Sequence, residues 1–296
     1  MTTETPTRPV LRWHGGKWIL APWIISHFPE HRVYTEVYGG AASVLMRKAR
    51  SYAEVYNDLD GDVVNLFRVL RDPDTGAALR EALRLTPFAR EEFKTACDHV
   101  DEPIERARRM VVRSYMGFGS NASTSMKNRA AFRNGAGDRK STERMKTGFR
   151  AVSNLSGTTP AHDWANYPEC MDAMIQRLRA VVIECRPAVE ILRQHDGPQT
   201  LHYVDPPYVH ATRKKGQEKN YTHEMTDEDH RELANVLHGL EGMVVLSGYQ
   251  SALYADLYHG WNSVSRKAMA DGARERTETL WFNDRAWFNM PQGVLL

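Results

Sequence analysis

The chain has 296 residues, 42% hydrophobic and 26% charged, with a formal net charge of +2. A chain this long holds one large domain, or a core with an insertion. No apolar run approaches the ~20 residues of a bilayer-spanning helix, so no membrane partner is expected. The near-neutral total means that any nucleic-acid contact has to come from a local patch.

The first residues, Met1-Thr2-Thr3-Glu4-Thr5-Pro6, lack the charged-then-apolar layout of a signal peptide. Cys97, Cys170 and Cys185 are odd in number and lack metal-ligand spacing, which points to a reduced, cytoplasmic compartment and to no bound metal. Residues 1–10 read as a flexible lead. Trp13-His14-Gly15-Gly16-Lys17 follows, and Lys17 opens a helical pattern through about Phe28. A Gly-Gly-Lys ahead of a helix suits an anionic group, although the P-loop spacing is absent; it equally reads as a glycine turn with a surface lysine.

Val33–Val37 reads as a strand, followed by Tyr38-Gly39-Gly40-Ala41-Ala42-Ser43 and a helix to about Arg50. Strand, glycine turn and helix open a nucleotide-binding βαβ unit, without the dinucleotide G-x-G-x-x-G spacing. The second strand, Tyr52–Asn57, ends at Asp58. An acid there, about 20 residues past the glycines, suits a ribose diol; it also suits capping of the next helix, expected from about Asp60 to Leu70.

Residues 74–116 are mostly helical in pattern, punctuated by prolines, and from Gly117 to Arg150 the chain turns polar and loop-like. Residues 104–150 carry twelve Lys and Arg against three Asp and Glu, a local charge of +9 in a chain whose total is +2. Such a segment reads either as a solvated loop or as a grip on a phosphate backbone, and the near-neutral remainder favours nucleic acid. Arg129, Arg133, Arg139 and Lys140 are its candidate backbone contacts.

One helix is expected from about His162 to Arg179, a strand at Ala180–Glu184 and a short helix at Pro187–Leu192. Thr200-Leu201-His202-Tyr203-Val204 then reads as a buried strand that ends at Asp205-Pro206-Pro207-Tyr208. Ligands in open α/β sheets bind beyond the carboxyl ends of strands, which is where this tetrapeptide falls. The prolines fix the backbone and remove N–H donors, leaving carbonyls to accept. With the Asp205 carboxylate and the flat Tyr208 face, the corner suits a planar ring bearing an amino group. An Asp-Pro turn at a strand end is the alternative. Val209 to Tyr221 reads as a loop over this corner. A capped helix from Thr226 to about Leu240, a strand at Gly242–Tyr249, a helix near Ser251–Leu257 and strands near Trp261–Lys267 and Thr277–Asn283 close the chain.

Trp13 to Lys17, Glu36 to Ser43, Asn57 to Leu66, Asp205 to Tyr208 and Leu246 to Tyr249, in this order, resemble the Dam-type DNA adenine-N6 methyltransferases, including relatives common in phages and prophages. The resemblance implies an α/β fold, a Rossmann-like methyltransferase sheet with a mostly helical target-recognition insertion. It puts the catalytic domain at 1–72 and 160–296 and the insertion at 73–159. It implies S-adenosylmethionine as cofactor and double-stranded DNA as partner. Trp13 and Lys17 become cofactor-end contacts, Tyr38, Gly39 and Gly40 the loop under the cofactor, and Asp58 the ribose ligand. Asp205 falls between cofactor and base, with Pro206 and Tyr208 completing the catalytic corner. The family often has a second glycine where this chain has Ala42, which tightens the cofactor pocket. Cytosine-N4 methylation and a catalytically silent DNA-binding role are the competing readings; Asp at 205 favours the adenine enzymes, where serine is frequent in the cytosine class.

Overall fold

The computed structural model describes residues 5–119, 148–150, 158–212, 222–270 and 274–291. They form two compact units. Met1–Gly16 with Asp62–Arg179 makes one, and Lys17–Gly61 with Ala180–Leu296 the other.

The second unit carries a seven-stranded sheet. Its strands are β1 (Val33–Glu36), β2 (Ala53–Asn57), β3 (Val181–Glu184), β4 (Thr200–Val204), β5 (Met243–Gly248), β6 (Asn262–Ala270) and β7 (Arg274–Phe282), in the order β3-β2-β1-β4-β5-β7-β6. β1 to β5 run parallel, whereas β7 is antiparallel to both neighbours. The helices of this unit are α1 (Ala21–Ser26), α2 (Ser43–Arg47), α9 (Ala188–Gln194), α10 (Asp227–His238), α11 (Ala252–Leu257) and α12 (Asp284–Phe288). β1, β2, β4 and β5 are buried on both faces over almost their whole length, as in a covered parallel sheet. Val37, Val204, Val244 and Leu246 pack with Ile191, Leu192, Leu233 and Leu237 of α9 and α10. Tyr34 and Tyr203 pack against Phe28 with ring centroids 5.9 and 5.7 Å away.

The strand order reverses between β1 and β4. Strands leaving that point in opposite directions splay their connections apart and open a crevice at the carboxyl edge. The turns after β1, β2, β4 and β5 all emerge along that edge.

The first unit is helical in its described residues, with α3 (Gly61–Arg71) entering it, α4 (Pro73–Leu85), α5 (Arg90–Thr95), α6 (Pro103–Met116), α7 (Pro160–Ala165) and α8 (Met171–Leu178). Three expectations are corrected here. The helix expected from His162 to Arg179 is broken into α7, a 3₁₀ turn at Pro168–Cys170 and α8, because Pro168 cannot continue the ladder of a preceding helix. The lead is anchored from Arg8 onward: the Tyr115 and Tyr167 hydroxyls donate to the Pro9 and Val10 carbonyls, and the Arg8 guanidinium lies 5.3 and 5.2 Å from their ring centres. The helix expected from Lys17 starts at Ala21, where Pro22 occupies the first turn that proline favours. Beyond these, the last two strands form a longer hairpin than their pattern suggests, and α12 follows with Asn283 as its cap.

Candidate active site

The turn after β1 is built by close approach. Gly39 lies against the fully buried Tyr56 ring, where an added Cβ would meet Tyr56 Cε2 at 2.1 Å. The Tyr56 hydroxyl donates to the Gly40 carbonyl at 2.8 Å. Gly40 and Ala42 take positive φ, 48° and 51°, and Ala42 sits in the left-handed region just before α2. Asp58, at the end of β2, accepts the Gly40 N–H on Oδ2 and the Asp60 N–H on Oδ1, both at 2.8 Å. Asp58 thus ties the glycine turn to the end of β2 and accepts one amide just ahead of α3. Burial pushes its carboxyl pKa up, against the pull of those two N–H donors. A carboxylate has about four acceptor positions, so two remain for a diol.

Glu36 lies beneath the same turn. Its Oε2 accepts the Tyr34 hydroxyl and the Leu45 N–H, each at 2.8 Å. Burial pushes this carboxyl up to about 8, with the nearby Asp205 charge adding to the rise. The acid is accordingly held largely neutral near pH 7.

The second cluster gathers at the end of β4. Lys17 Nζ reaches Asp205 Oδ1 at 2.9 Å and Oδ2 at 2.8 Å, and donates to the Tyr208 hydroxyl at 2.5 Å. Ser247, at the end of β5, donates to Asp205 Oδ1 at 2.7 Å, and the Tyr203 hydroxyl lies 3.0 Å from Ser247 Oγ. Pro206 is buried and Tyr208 half-buried, with no cis peptide among the described residues. The Tyr208 ring meets Tyr249 at 4.3 Å between centroids, and Arg276 lies 5.0 Å from the Tyr249 ring centre. Glu278 of β7 accepts the Tyr208 hydroxyl at 2.9 Å and stands 3.6 Å from Lys17 Nζ.

Of the residues singled out by sequence, Lys17, Asp205 and Tyr208 come together in one hydrogen-bonded group, and the Tyr38–Gly40 turn comes together with Asp58. Trp13 belongs to the helical unit, where its carbonyl accepts the Gly16 N–H at 3.1 Å. Arg129, Arg133, Arg139 and Lys140, and residues 213–221 of the loop expected over the corner, lie outside the described residues. Sequence reading assigned no role to Ser247, Tyr249, Arg276 or Glu278. Ser247 and Tyr249 close an otherwise apolar strand, and Glu278 is a lone acid inside the β-rich run Thr277–Phe282; those were the available signals.

The basic count also changes meaning. Arg106 and Arg113 pair with Asp62, Arg108 with Glu92 and Glu105, and Arg109 with Glu105, all inside the helical unit. These four arginines of α6 serve the unit's own packing and charge balance.

No helix among the described residues is long and apolar enough to cross a membrane, and no group of three or more His, Cys, Asp or Glu able to hold a metal is found among them. A family model described as D12 class N6 adenine-specific DNA methyltransferase matches residues 13–271. Among curated proteins none matches the chain.

Proposed function

Since the chain belongs to the D12 class of N6 adenine-specific DNA methyltransferases, we propose that its reaction centre is the corner Asp205-Pro206-Pro207-Tyr208, that S-adenosylmethionine is its methyl donor, and that its acceptor is an adenine turned out of a DNA duplex. Family membership does not favour cytosine-N4 transfer or a silent binding role. The observation that carries the reading is the Asp205 carboxylate, held by Lys17 and Ser247 at the carboxyl end of β4, beside the point where the strand order reverses.

The residues present fit the donor. The turn Tyr38–Ala42 and Asp58 line the carboxyl ends of β1 and β2, and Asp58 keeps acceptor positions for a ribose. When bound, S-adenosylmethionine supplies an electrophilic methyl group on a cationic sulfur. Everything else falls to the chain. An adenine amino nitrogen is a poor nucleophile, because its lone pair is delocalised into the ring. Asp205 and the Pro206 carbonyl each accept one N–H of that group, which turns the lone pair out of the ring plane. Both are preorganised acceptors, and their hydrogen bonds strengthen as positive charge develops on the nitrogen. Lys17 and Ser247 leave Asp205 Oδ2 with spare capacity, since Ser247 bonds only Oδ1. Tyr208 holds the ring by stacking, worth about 1–3 kcal/mol per base.

Extruding a base from the duplex costs a few kcal/mol. We assign the compensating grip on the backbone to the basic insertion, with Arg129, Arg133, Arg139 and Lys140 on phosphates. Cys97, Cys170 and Cys185 form no disulfide, which suits a reducing cytoplasm.

The test is single-turnover methyl transfer from labelled cofactor to duplex DNA, with the labelled base identified. Label belongs on adenine. Asp205→Ala should slow the step about 100-fold or more, by analogy with loss of one preorganised transition-state partner. A folded Asp205→Ala enzyme with parental turnover would refute the assignment.

A further inference from the structure

We propose that Glu278 is a positioning residue for methyl transfer, holding the Tyr208 phenol in place and drawing Lys17 toward the far side of the corner. The inference rests on the reading of Asp205–Tyr208 as the reaction centre.

Glu278 lies beyond the matched span, in the antiparallel hairpin that closes the sheet. Its position follows from strand register. Gly248 of β5 pairs with Thr279, so Glu278 is the first residue of β7 past the end of β5. Because β7 runs the other way, that step carries it out to the edge where β4 delivers Asp205. Its side chain turns inward and is only 3% exposed.

A buried carboxylate costs several kcal/mol unless it is paired and hydrogen-bonded. The groups that compensate Glu278 belong to the corner itself: the Tyr208 hydroxyl at 2.9 Å and the Lys17 ammonium at 3.6 Å. Burial still leaves its pKa raised, with Lys17 and Tyr208 pulling it back. A side chain needed only for packing here would be apolar, like its neighbours Leu280 and Phe282.

The hydrogen bonds form a directed relay. Lys17 donates to the Tyr208 oxygen, and the Tyr208 hydroxyl donates to Glu278. Each bond polarises the next, which stiffens the set. The consequence for Tyr208 is that one end of its ring is pinned, so its face is held at a set angle beside Asp205. Stacking alone leaves a ring free to slide in its own plane, whereas an in-line displacement tolerates little misplacement. Glu278 also gives Lys17 a second anion, so the ammonium is shared and Asp205 is not fully neutralised. The three charged groups then sum to an anionic site whenever Glu278 is ionised, which favours a reaction that moves positive charge from sulfur to the base nitrogen.

The experiment compares single-turnover methylation, cofactor affinity and DNA KM in E278A, E278Q, Y208F and E278A/Y208F, with D205A alongside. Expected is a rate about 10- to 100-fold lower in both E278A and Y208F, with cofactor affinity unchanged within about twofold, as for a misplaced but intact site. The double variant should be no slower than the slower single, because both remove the same hydrogen bond. E278Q keeps an oxygen that accepts the phenol and should stand well above E278A. Parental rates in E278A, multiplicative losses in the double variant, or E278Q as slow as E278A would each overturn the proposal. Should E278A fail to fold, Y208F alone decides, since it leaves Glu278 in place: a parental rate overturns the proposal, and a tenfold loss with normal cofactor affinity supports it. If D205A turns over normally, the reaction-centre reading fails; if D205A is inactive and E278A is not slowed, only the role of Glu278 fails.

Discussion

Substituting Gly39 by alanine tests whether the turn after β1 is glycine because of the cofactor or because of the protein itself. The added Cβ would lie 2.1 Å from Tyr56 Cε2, 2.6 Å from Cδ2 and 2.8 Å from Cζ. Carbon atoms rest about 3.5–4.0 Å apart, so ring or turn must move by more than 1 Å. Tyr56 is fully buried, and its hydroxyl is committed to the Gly40 carbonyl. Overpacking costs about 1–3 kcal/mol, and breaking a buried hydrogen bond about 1–3 more. Stiffening of the unfolded chain offsets about 0.4–1 kcal/mol. The net expectation is a destabilisation of about 1–5 kcal/mol, read from urea midpoints, together with weakened S-adenosylmethionine binding in calorimetry. Tyr56→Val removes the ring, so the Gly39→Ala/Tyr56→Val pair should be less destabilised than the two single losses predict by about 1–3 kcal/mol. A Gly39→Ala protein within about 0.5 kcal/mol of the parent would refute the steric argument and return the glycine to the cofactor.

Two further outcomes are expected. Ala42 takes φ 51° with its methyl fully buried; in Ala42→Gly, relief of about 1–2 kcal/mol of left-handed strain is cancelled by a lost methyl worth about 0.8 and by unfolded-chain entropy. That variant should sit within about 1 kcal/mol of the parent, while Ala42→Val, β-branched in the left-handed region, should lose more than about 2; denaturant unfolding that ranks Val at or above Ala sinks this account. His202, buried between Thr35 at 2.8 Å and Asp196 at 3.3 Å, has its pKa pushed down to about 4 by burial. The unfolded chain, with a histidine pKa near 6.5, takes up this proton first, so the contribution of His202 is complete above about pH 6.5 and is lost as pH falls toward 4. The advantage of the parent over His202→Asn should therefore shrink by about 3 kcal/mol between pH 7 and pH 4, a comparison in which the opposite slope from Glu36 cancels; an NMR titration placing His202 near 6.5 contradicts it.

The parallel part of the sheet was legible because its strands announce themselves locally. β1, β2, β4 and β5 are short β-rich runs soon followed by glycine, aspartate or proline, which is how a short, doubly covered strand reads. The half-site they deliver was legible for the same reason, since Gly39, Gly40, Asp58 and Asp205 each stand at the carboxyl end of such a run. The breaks that were misjudged are those set by tertiary packing. Arg8, Pro9 and Val10 carry no periodicity, and what orders them is a pair of tyrosines more than a hundred residues away. The charge count over 104–150 has a comparable limit. Composition sums charges without seeing partners, and four arginines of α6 spend theirs on Asp62, Glu92 and Glu105.

Glu278 marks the limit more sharply. Asp205 and Tyr208 sit three residues apart, within one stiff corner, so their partnership is visible in the sequence. Glu278 stands 70 residues beyond Tyr208, and only the pairing of an antiparallel strand brings it back. Register slips by one residue turn a side chain to the opposite face of a sheet. Whether an acid in β7 faces the corner or the solvent therefore depends on the Gly248–Thr279 pairing, and no property of the acid itself records that pairing. Burial supplies what the residue type lacks: every residue from Glu278 to Phe282 is buried. An ionisable residue inside such a run has to be compensated within the protein. In this fold the compensation at that edge comes from Lys17 and Tyr208, so the acid that looks out of place in the strand pattern is the one tied to the Asp205–Tyr208 corner.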